Sequence, residues 1–379
     1  MKKHIASILF LFLLSTFQLI AQSHSVKRLG IEQGLSNNYV VSITQDKQGF
    51  LWFATEEGLN KFDGTRFTTY YKNDLTQDNQ GITGNELNRV YADTKHPIIW
   101  IATQRDGLNA YNYNEQTFTA YQHNPENPHS LITNDVTDIA PSTQHDDGLW
   151  ISTYYRGIEY LDITSGQFTH YNKSTVPSLP CDQTWTVLDG GDGNLYIGHV
   201  GSGFSIFSPK DKSVKNFRNE AGNPMSLPGN DVFCIIKDAN GNIWLGTNNG
   251  LALYDAANEN FIMFKNNKND KYATLCSRIL SIRQLKDNRL WIASELNGIA
   301  ILNLKQSMFL SPEEISLEYI QEGADNRSLS NASARCIFQD SFDNIWIGTW
   351  GGGINFISSK PPLFTTLSYS CLLYTSPSP

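Results

Sequence analysis

Tyr154, Tyr155 and Arg156 follow one another in "STYYRGIEY", and Arg105 in "ATQRDGL" and Trp350 in "GTWGGGINF" lie in stretches of the same shape. Aromatic rings present flat apolar faces that suit the apolar faces of sugars, while guanidinium groups take hydroxyl or acidic oxygens in paired hydrogen bonds. These residue types together point to binding of a carbohydrate. Arg105 and Arg156 fall in consecutive copies of a repeat, which favours an acidic ligand. His199, in "IGHVGSG", stands where other copies carry Thr. Each of these side chains also suits a purely structural role, capping an edge or touching a neighbouring domain.

Turnover needs more than a platform. Tyr155, Arg156 and His199 would supply a base and a charge stabiliser for a polysaccharide lyase or glycoside hydrolase. Paired carboxylates are less evident, since Glu56 and Glu57 share one loop and nothing in the sequence relates them to Glu295. "DGGDGN", residues 189–194, offers oxygen ligands but lacks the distal Glu of a calcium loop. It aligns with "KDANGN" and "QDKQGF", so it reads as a turn. The histidines show no metal spacing and no HExxH motif, and neither a metal nor a cofactor is expected.

What must position the candidate residues is a repeated unit. An aromatic residue recurs at Trp52, Trp100, Trp150, Tyr196, Trp244, Trp291 and Trp346, at intervals of 46 to 55 residues. Two places after it stands a small residue (Ala54, Ala102, Ser152, Gly198, Gly246, Ala293, Gly348), and a glycine closes each stretch. Within the fifth copy "DVFCIIKD", "IWLGT", "LALYD" and "NFIMF" read as short strands separated by turn chemistry in "ANGN", "NNG" and "AANE". The second strand is apolar on consecutive residues, which predicts burial on both faces.

Four-stranded sheets that need a neighbour on both sides predict radial closure. The expected fold is therefore all-β, a seven-bladed propeller of four-stranded antiparallel blades over residues 22–367. The small residue after the aromatic is expected to leave room for the ring of an adjacent blade. Closure needs a device, and Val26 to Leu29 matches the outer-strand position of later copies. That N-terminal strand is expected to complete blade seven, in competition with "FTTL" at 364–367. Convergent loops joining second and third strands would then share a rim with the connections between blades, the usual place for binding.

The ends of the chain read differently. Lys2 and Lys3 precede the apolar stretch Ile5 to Leu14, followed by Ala21 at a cleavage point, so residues 1–21 are expected to be a signal peptide rather than a membrane anchor. "SYSCLLYTSPSP", 368–379, has no blade spacing and reads as a tail outside the fold. Export implies an oxidising compartment. Yet the 5 cysteines do not form a framework: Cys181 and Cys276 occupy one repeat position, Cys234 and Cys336 another, and a whole unit separates each pair. Free thiols are expected. A composition of 17 Tyr, 20 Phe and 28 Gly against 4 Met suits strands and turns. The net charge of −8 without a basic block argues against nucleic acid as a partner.

"GLSNNYV", "DKQGFLWFATEEGLNKFDG", "DANGNIWLGTNNGLALYD" and "DNIWIGTWGGGINF" resemble the two-component regulator propeller repeat of exported sensor regions in hybrid two-component systems. The likeness runs over about residues 26 to 367. In that family two such propellers precede an immunoglobulin-like domain, a membrane helix, a histidine kinase, a receiver and a DNA-binding module. The resemblance implies a periplasmic sensor of oligosaccharides or glycan fragments, signalling to a kinase anchored in the inner membrane. It implies a second propeller and an immunoglobulin-like domain as neighbours; a homodimer is a further expectation. By this reading the chain itself is not an enzyme. A domain-docking module without its own ligand is the remaining alternative.

Overall fold

The computed structural model describes residues 25–73, 81–264, 273–304 and 317–360. The expected signal peptide, "FTTL" and the tail at 368–379 lie outside them. The described strands form 7 four-stranded antiparallel sheets. Their first strands, Val40–Gln45, Leu87–Ala92, Val136–Pro141, Thr184–Asp189, Val232–Lys237, Ile279–Gln284 and Ala334–Gln339, touch one another in a closed ring, with the last against the first. These strands surround a central channel, and the remaining strands of each blade step outward from it. The expected seven-bladed propeller is the fold observed.

Closure is made by the N-terminal strand. Val26–Leu29 pairs antiparallel with Ile354–Ile357, Val26 opposite Ile357 and Leu29 opposite Ile354, and so forms the outer strand of blade seven. Arg28 fastens it: one Nη, with two N–H groups to share, lies among the carbonyl oxygens of Gly323 (2.6 Å), Asp325 (3.2 Å), Ser328 (3.2 Å) and Leu329 (3.3 Å), in the connection from blade six. An edge that would otherwise expose unpaired N–H and C=O groups is thereby covered.

Second strands are buried along their whole length, as in Leu51–Thr55, Ile243–Thr247 and Ile345–Thr349. Their aromatic residue packs into the seam with the next blade. Trp244 joins Ile282, Leu290 and Ile292 of blade six, and Trp52 joins Ile99, Ile101 and Tyr111 of blade two. The small residue that follows has a different job from the one expected. A Cβ added at Gly246 would stand 2.5 Å from Cys234 Sγ and 2.7 Å from Ile279 Cγ2; at Gly348 it would stand 2.5 Å from Cys336 Sγ. The space saved is for the innermost strand of the same blade and the first inner residue of the next, since the aromatic of that next blade, Trp291, packs onward against Ile337 and Ile345 of blade seven. None of the described cysteines, Cys181, Cys234, Cys276 and Cys336, is in a disulfide. Burial pushes the Cys234 and Cys336 thiols up to about 12, which keeps them protonated.

Candidate ligand-binding rim

Every innermost strand carries an irregularity near its start. Pairing with the second strand jumps from Val40 to Ser42, Leu87 to Arg89, Val136 to Asp138, Thr184 to Thr186, Val232 to Cys234, Ile279 to Ser281 and Ala334 to Cys336. A bulge leaves one residue unpaired and re-aims its side chain. The skipped residues are Val41, Asn88, Thr137, Trp185, Phe233, Leu280 and Arg335. Antiparallel order puts the start of these strands, the loops between second and third strands, and the connections between blades on one rim.

On that rim the bulged residues join the loop residues in a chain of contacts. Tyr154 stands edge-on to Tyr155 (ring centroids 4.3 Å apart) and to Trp185 (6.1 Å), and Trp185 stands edge-on to Phe233 (5.8 Å). The Arg278 guanidinium lies 5.2 Å from the Phe233 ring centre and 3.1 Å from Glu295. Blades three to six are thus bridged by aromatic and cationic groups. Ser333 donates to the Glu295 carbonyl, which carries the series to blade seven. There Arg335 sits 4.4 Å over the Trp350 ring, and Trp350 meets Tyr39 edge-on at 5.3 Å. Tyr155 is 54% and Trp350 41% exposed, so faces of both are open to solvent.

The electrostatics of the rim are mixed. Burial lowers the Arg335 pKa and Arg278 adds repulsion, while Glu295 and Glu56 oppose the shift. Burial raises the Tyr154 phenol, and its neighbours Tyr155 and Asp231 add to the effect. The Tyr154 phenol keeps its proton at neutral pH and can donate it to a ligand.

Of the residues singled out in the sequence, Tyr154, Tyr155 and Trp350 enter this arc. Arg105 and Arg156 are exposed on the same rim, and their side chains make no hydrogen bond or ion pair among the described residues. His199 is a correction. It is fully buried, its Nε2 2.8 Å from Ser205 Oγ and its Nδ1 3.5 Å from Cys181 Sγ. Burial lowers its pKa to about 4. The Thr of other copies caps the tight loop with its hydroxyl, as Thr247 does to the Gly250 carbonyl at 2.8 Å. His199 instead turns inward to Ser205, so it cannot reach a ligand on the rim.

Trp185, Phe233, Arg278, Arg335 and Tyr39 were not singled out from sequence. One signal pointed to the bulged ones: directly after a position that is Val, Leu, Thr, Ile or Ala in every copy, the seven copies carry Val, Asn, Thr, Trp, Phe, Leu and Arg. A second concave feature lies on the opposite rim. The insertion "STQHDDG" of blade three helps form a cleft of about 410 Å³ against blade four, lined by Gln144, His145, Tyr160, Asp189, Asp192 and Lys210.

Comparisons with known proteins agree with this fold. The family model described as two component regulator propeller matches residues 34–57, 226–249 and 328–351, each a stretch running through the start of a blade to the loop after its second strand. The chain is thus a seven-bladed propeller in which three stretches match the two component regulator propeller repeat. It is 64% identical, with a TM-score of 0.81, to the extracellular domain of a hybrid two component system from B. thetaiotaomicron, over 90% of this chain and 43% of that one. A 66-residue stretch is 42% identical to Histidine kinase P4 of Formosa agariphila, covering 17% of this chain and 5% of that protein. Virginiamycin B lyase from Staphylococcus aureus shares the fold at 14% identity and a TM-score of 0.63, over 88% of this chain and 99% of that one. The chain therefore spans less than half the length of the solved sensor domain. The described residues are all propeller, with no kinase domain among them, and no helix there is long and apolar enough to cross a membrane.

Proposed function

We propose that this propeller is the periplasmic ligand-sensing part of a hybrid two-component sensor and responds to oligosaccharides or glycan fragments. The observation that carries the sensor reading is the 64% identity to an extracellular domain of such a system across 90% of the chain. The carbohydrate reading is supported by the rim, where open faces of Tyr155 and Trp350 stand among Arg278, Arg335, Arg105 and Arg156. Ligand acts by favouring one arrangement of the propeller and its neighbours, a second propeller and an immunoglobulin-like domain, in a homodimer that drives a membrane-anchored histidine kinase. A ligand that bound both arrangements equally would transmit nothing. Binding, not turnover, is the task, and the burial of His199 removes the base on which a lyase or hydrolase reading rested.

Calorimetry of the full exported region against a panel of neutral and acidic oligosaccharides tests this. Saturable binding that is lost in Tyr155→Ala or Trp185→Ala, with the fold intact, is the expected result. Binding that survives both substitutions places the ligand elsewhere. A docking role for the same rim is favoured by one observation, Leu296, which is 71% exposed beside Glu295. No binding by any sugar, with Leu296→Ser loosening the contact to the next domain, would replace the sensing reading by that one.

A further inference from the structure

Between blades three and four, on the side of the ring away from the rim, two turns form the walls of the cleft of about 410 Å³, a volume in the range of small-molecule sites. The turn after the first strand of blade three, within "STQHDDG", is longer than its counterparts and is fastened on both sides. Toward blade four, the Thr143 N–H and hydroxyl donate to the two oxygens of Asp189 at 2.9 and 2.6 Å. Toward blade two, Asp147 meets His96 Nε2 at 2.8 Å. The facing wall is the equivalent turn of blade four, where Asp192 accepts from the Asn194 N–H and the Tyr196 hydroxyl, both at 3.0 Å. Walls held in this way are in place before any ligand arrives, which removes an ordering cost from binding.

The floor is aromatic. Ring centres of Trp150 and Tyr160 lie 4.9 Å apart, those of Trp150 and Tyr171 5.7 Å apart, and His145 stands edge-on to Tyr160 at 6.4 Å. Tyr160 and Tyr171 are half-buried and line the cleft. Donors and acceptors stand around them: Lys210, the Gln144 amide and the Tyr160 hydroxyl to donate, Asp192 and the Gln144 carbonyl to accept. The Tyr160 hydroxyl reaches over Gly148, where an added Cβ would collide with it, and it makes no hydrogen bond among the described residues. Burial raises this phenol, with Asp162, Tyr171, Asp147 and Asp189 adding to the shift, so it keeps its proton for donation.

Charge separates the ligand classes. Asp189 and Asp192 line the cleft against one lysine, Lys210, and an adjoining concavity of about 570 Å³ that shares Gln144, His145 and Tyr160 adds Asp146, Asp147 and Asp162. No arginine lines either, so an acidic ligand would meet like charge. An organic cation is met no better: Asp146 and Asp147 already pair with Lys95 and His96, Asp189 is taken up by Thr143, and Lys210 stands in the cleft itself. A neutral ring with C–H groups on its faces and hydroxyl groups around its edge suits both the aromatic floor and the mixed walls.

We propose that the cleft between blades three and four is a second binding site, for one neutral, hydroxyl-rich ring, with Tyr160 and Tyr171 as its platform and the Tyr160 hydroxyl, Gln144, Asp192 and Lys210 as its hydrogen-bonding partners. The site is separate from the rim and stands whether or not the rim takes a sugar. Its occupant is a sugar residue or a cyclitol, since both offer the same hydroxyl edge.

Saturation-transfer NMR titrations of the purified chain with D-glucose, D-galactose, D-mannose and myo-inositol test the proposal, with sodium glucuronate as the acidic counterpart. Saturable binding of at least one neutral probe is expected, weakened about threefold or more in Tyr160→Phe and in Gln144→Ala and unchanged in the rim variant Tyr155→Ala. Tyr160→Phe removes a hydroxyl that holds nothing within the protein, so its melting temperature should match that of the unmodified chain. Gln144 is exposed on its turn, so Gln144→Ala preserves the test if the phenylalanine variant is perturbed. A hexose bound more tightly than myo-inositol identifies a sugar residue as the occupant; the reverse order identifies a cyclitol. No binding by any neutral probe, or equal affinity in both folded variants, would overturn the proposal. Loss in Tyr155→Ala alone would assign the probe to the rim and overturn it too, and glucuronate bound more tightly than every neutral probe in a Tyr160-dependent way would overturn the neutral class.

Discussion

Asp238 holds the indole N–H of Trp244 on one carboxylate oxygen, at 3.0 Å, and the backbone N–H groups of Asn240 and Asn242 on the other, both at 2.9 Å. One side chain thereby ties the turn between the first two strands to the largest residue of the blade seam. Asp46 with Trp52 (2.8 Å) and Asp340 with Trp346 (2.9 Å) repeat the arrangement. In blade three Ser142 replaces the aspartate, and Trp150 reaches Asp189 of blade four at 3.3 Å instead. Blade six has Leu285 there, and the Trp291 N–H is buried without an acceptor. Trp244→Phe should therefore destabilise by about 1–2 kcal/mol more than Trp291→Phe, because only the first loses a made hydrogen bond. Urea unfolding of the two variants with the same probe compares them; equal losses would show that the carboxylate contributes nothing net.

The repeat was legible because both its ingredients are local. A fully apolar second strand and a Gly- or Asn-rich turn can be read one copy at a time, and Val26 to Leu29 could be placed in blade seven by its match to other outer strands. The site was less so. Trp185 and Phe233 sit inside apolar strands, where nothing in "TWTVLD" or "VFCIIK" distinguishes a residue facing the channel from one in a seam. Only the bulge, repeated in register around a closed ring, turns them to the same rim as Tyr154. His199 failed for the opposite reason: its loop position suggested the rim, but Ser205 on the next strand offers a buried partner that no loop pattern shows.

Stability should depend on pH through two histidines with opposite signs. Burial holds His199 down at about 4 against an ordinary 6.5, so the folded state binds its proton less tightly than the unfolded chain does. The stability this confers is complete above 6.5 and lost as pH falls toward 4, about 3 kcal/mol in all. His170 is raised above 6.5 by its hydrogen bond to the buried Glu159 carboxylate at 3.0 Å. Its contribution is complete below 6.5 and lost as pH rises through the raised folded value. Melting temperatures measured from pH 4 to 8 should flatten on the acid side in His199→Gln and on the alkaline side in His170→Gln. A wild-type slope retained in either variant would assign that limb to other groups.

The closing strand should be needed for both stability and solubility. Removing residues up to Leu29 uncovers Ile354–Ile357 along its whole hydrogen-bonding edge and takes the buried Val26 out of the seam with blade six. The truncated chain is expected to melt at a lower temperature and to self-associate on size-exclusion chromatography. Arg28→Ala, which leaves the strand but removes its four carbonyl contacts, should cost only about 1 kcal/mol because that side chain is exposed, and the variant should stay at the size of the intact chain. A monomeric truncation with an unchanged melting point would mean that another segment occupies the slot.

Gly246 and Cys234 face each other in register across the first two strands of blade five, and Gly348 and Cys336 do so in blade seven. Where the inner residue is the smaller serine, at Ser42 and Ser281, the second strand carries alanine, at Ala54 and Ala293. The two positions thus share one volume. A Cβ at Gly246 would meet Cys234 Sγ at 2.5 Å and Ile279 on the next blade at 2.7 Å, closer than real contacts allow, so Gly246→Ala should cost about 1–3 kcal/mol through overpacking. Cys234→Ala alone leaves a void where the sulfur was and is also destabilising. Combined, the new methyl enters the space the sulfur vacated, and the pair should be more stable than the sum of the single losses by at least 0.5 kcal/mol or so, the coupling typical of touching residues. Additive losses in that double-mutant cycle would mean that Ile279, and with it the neighbouring blade, sets the limit at this position.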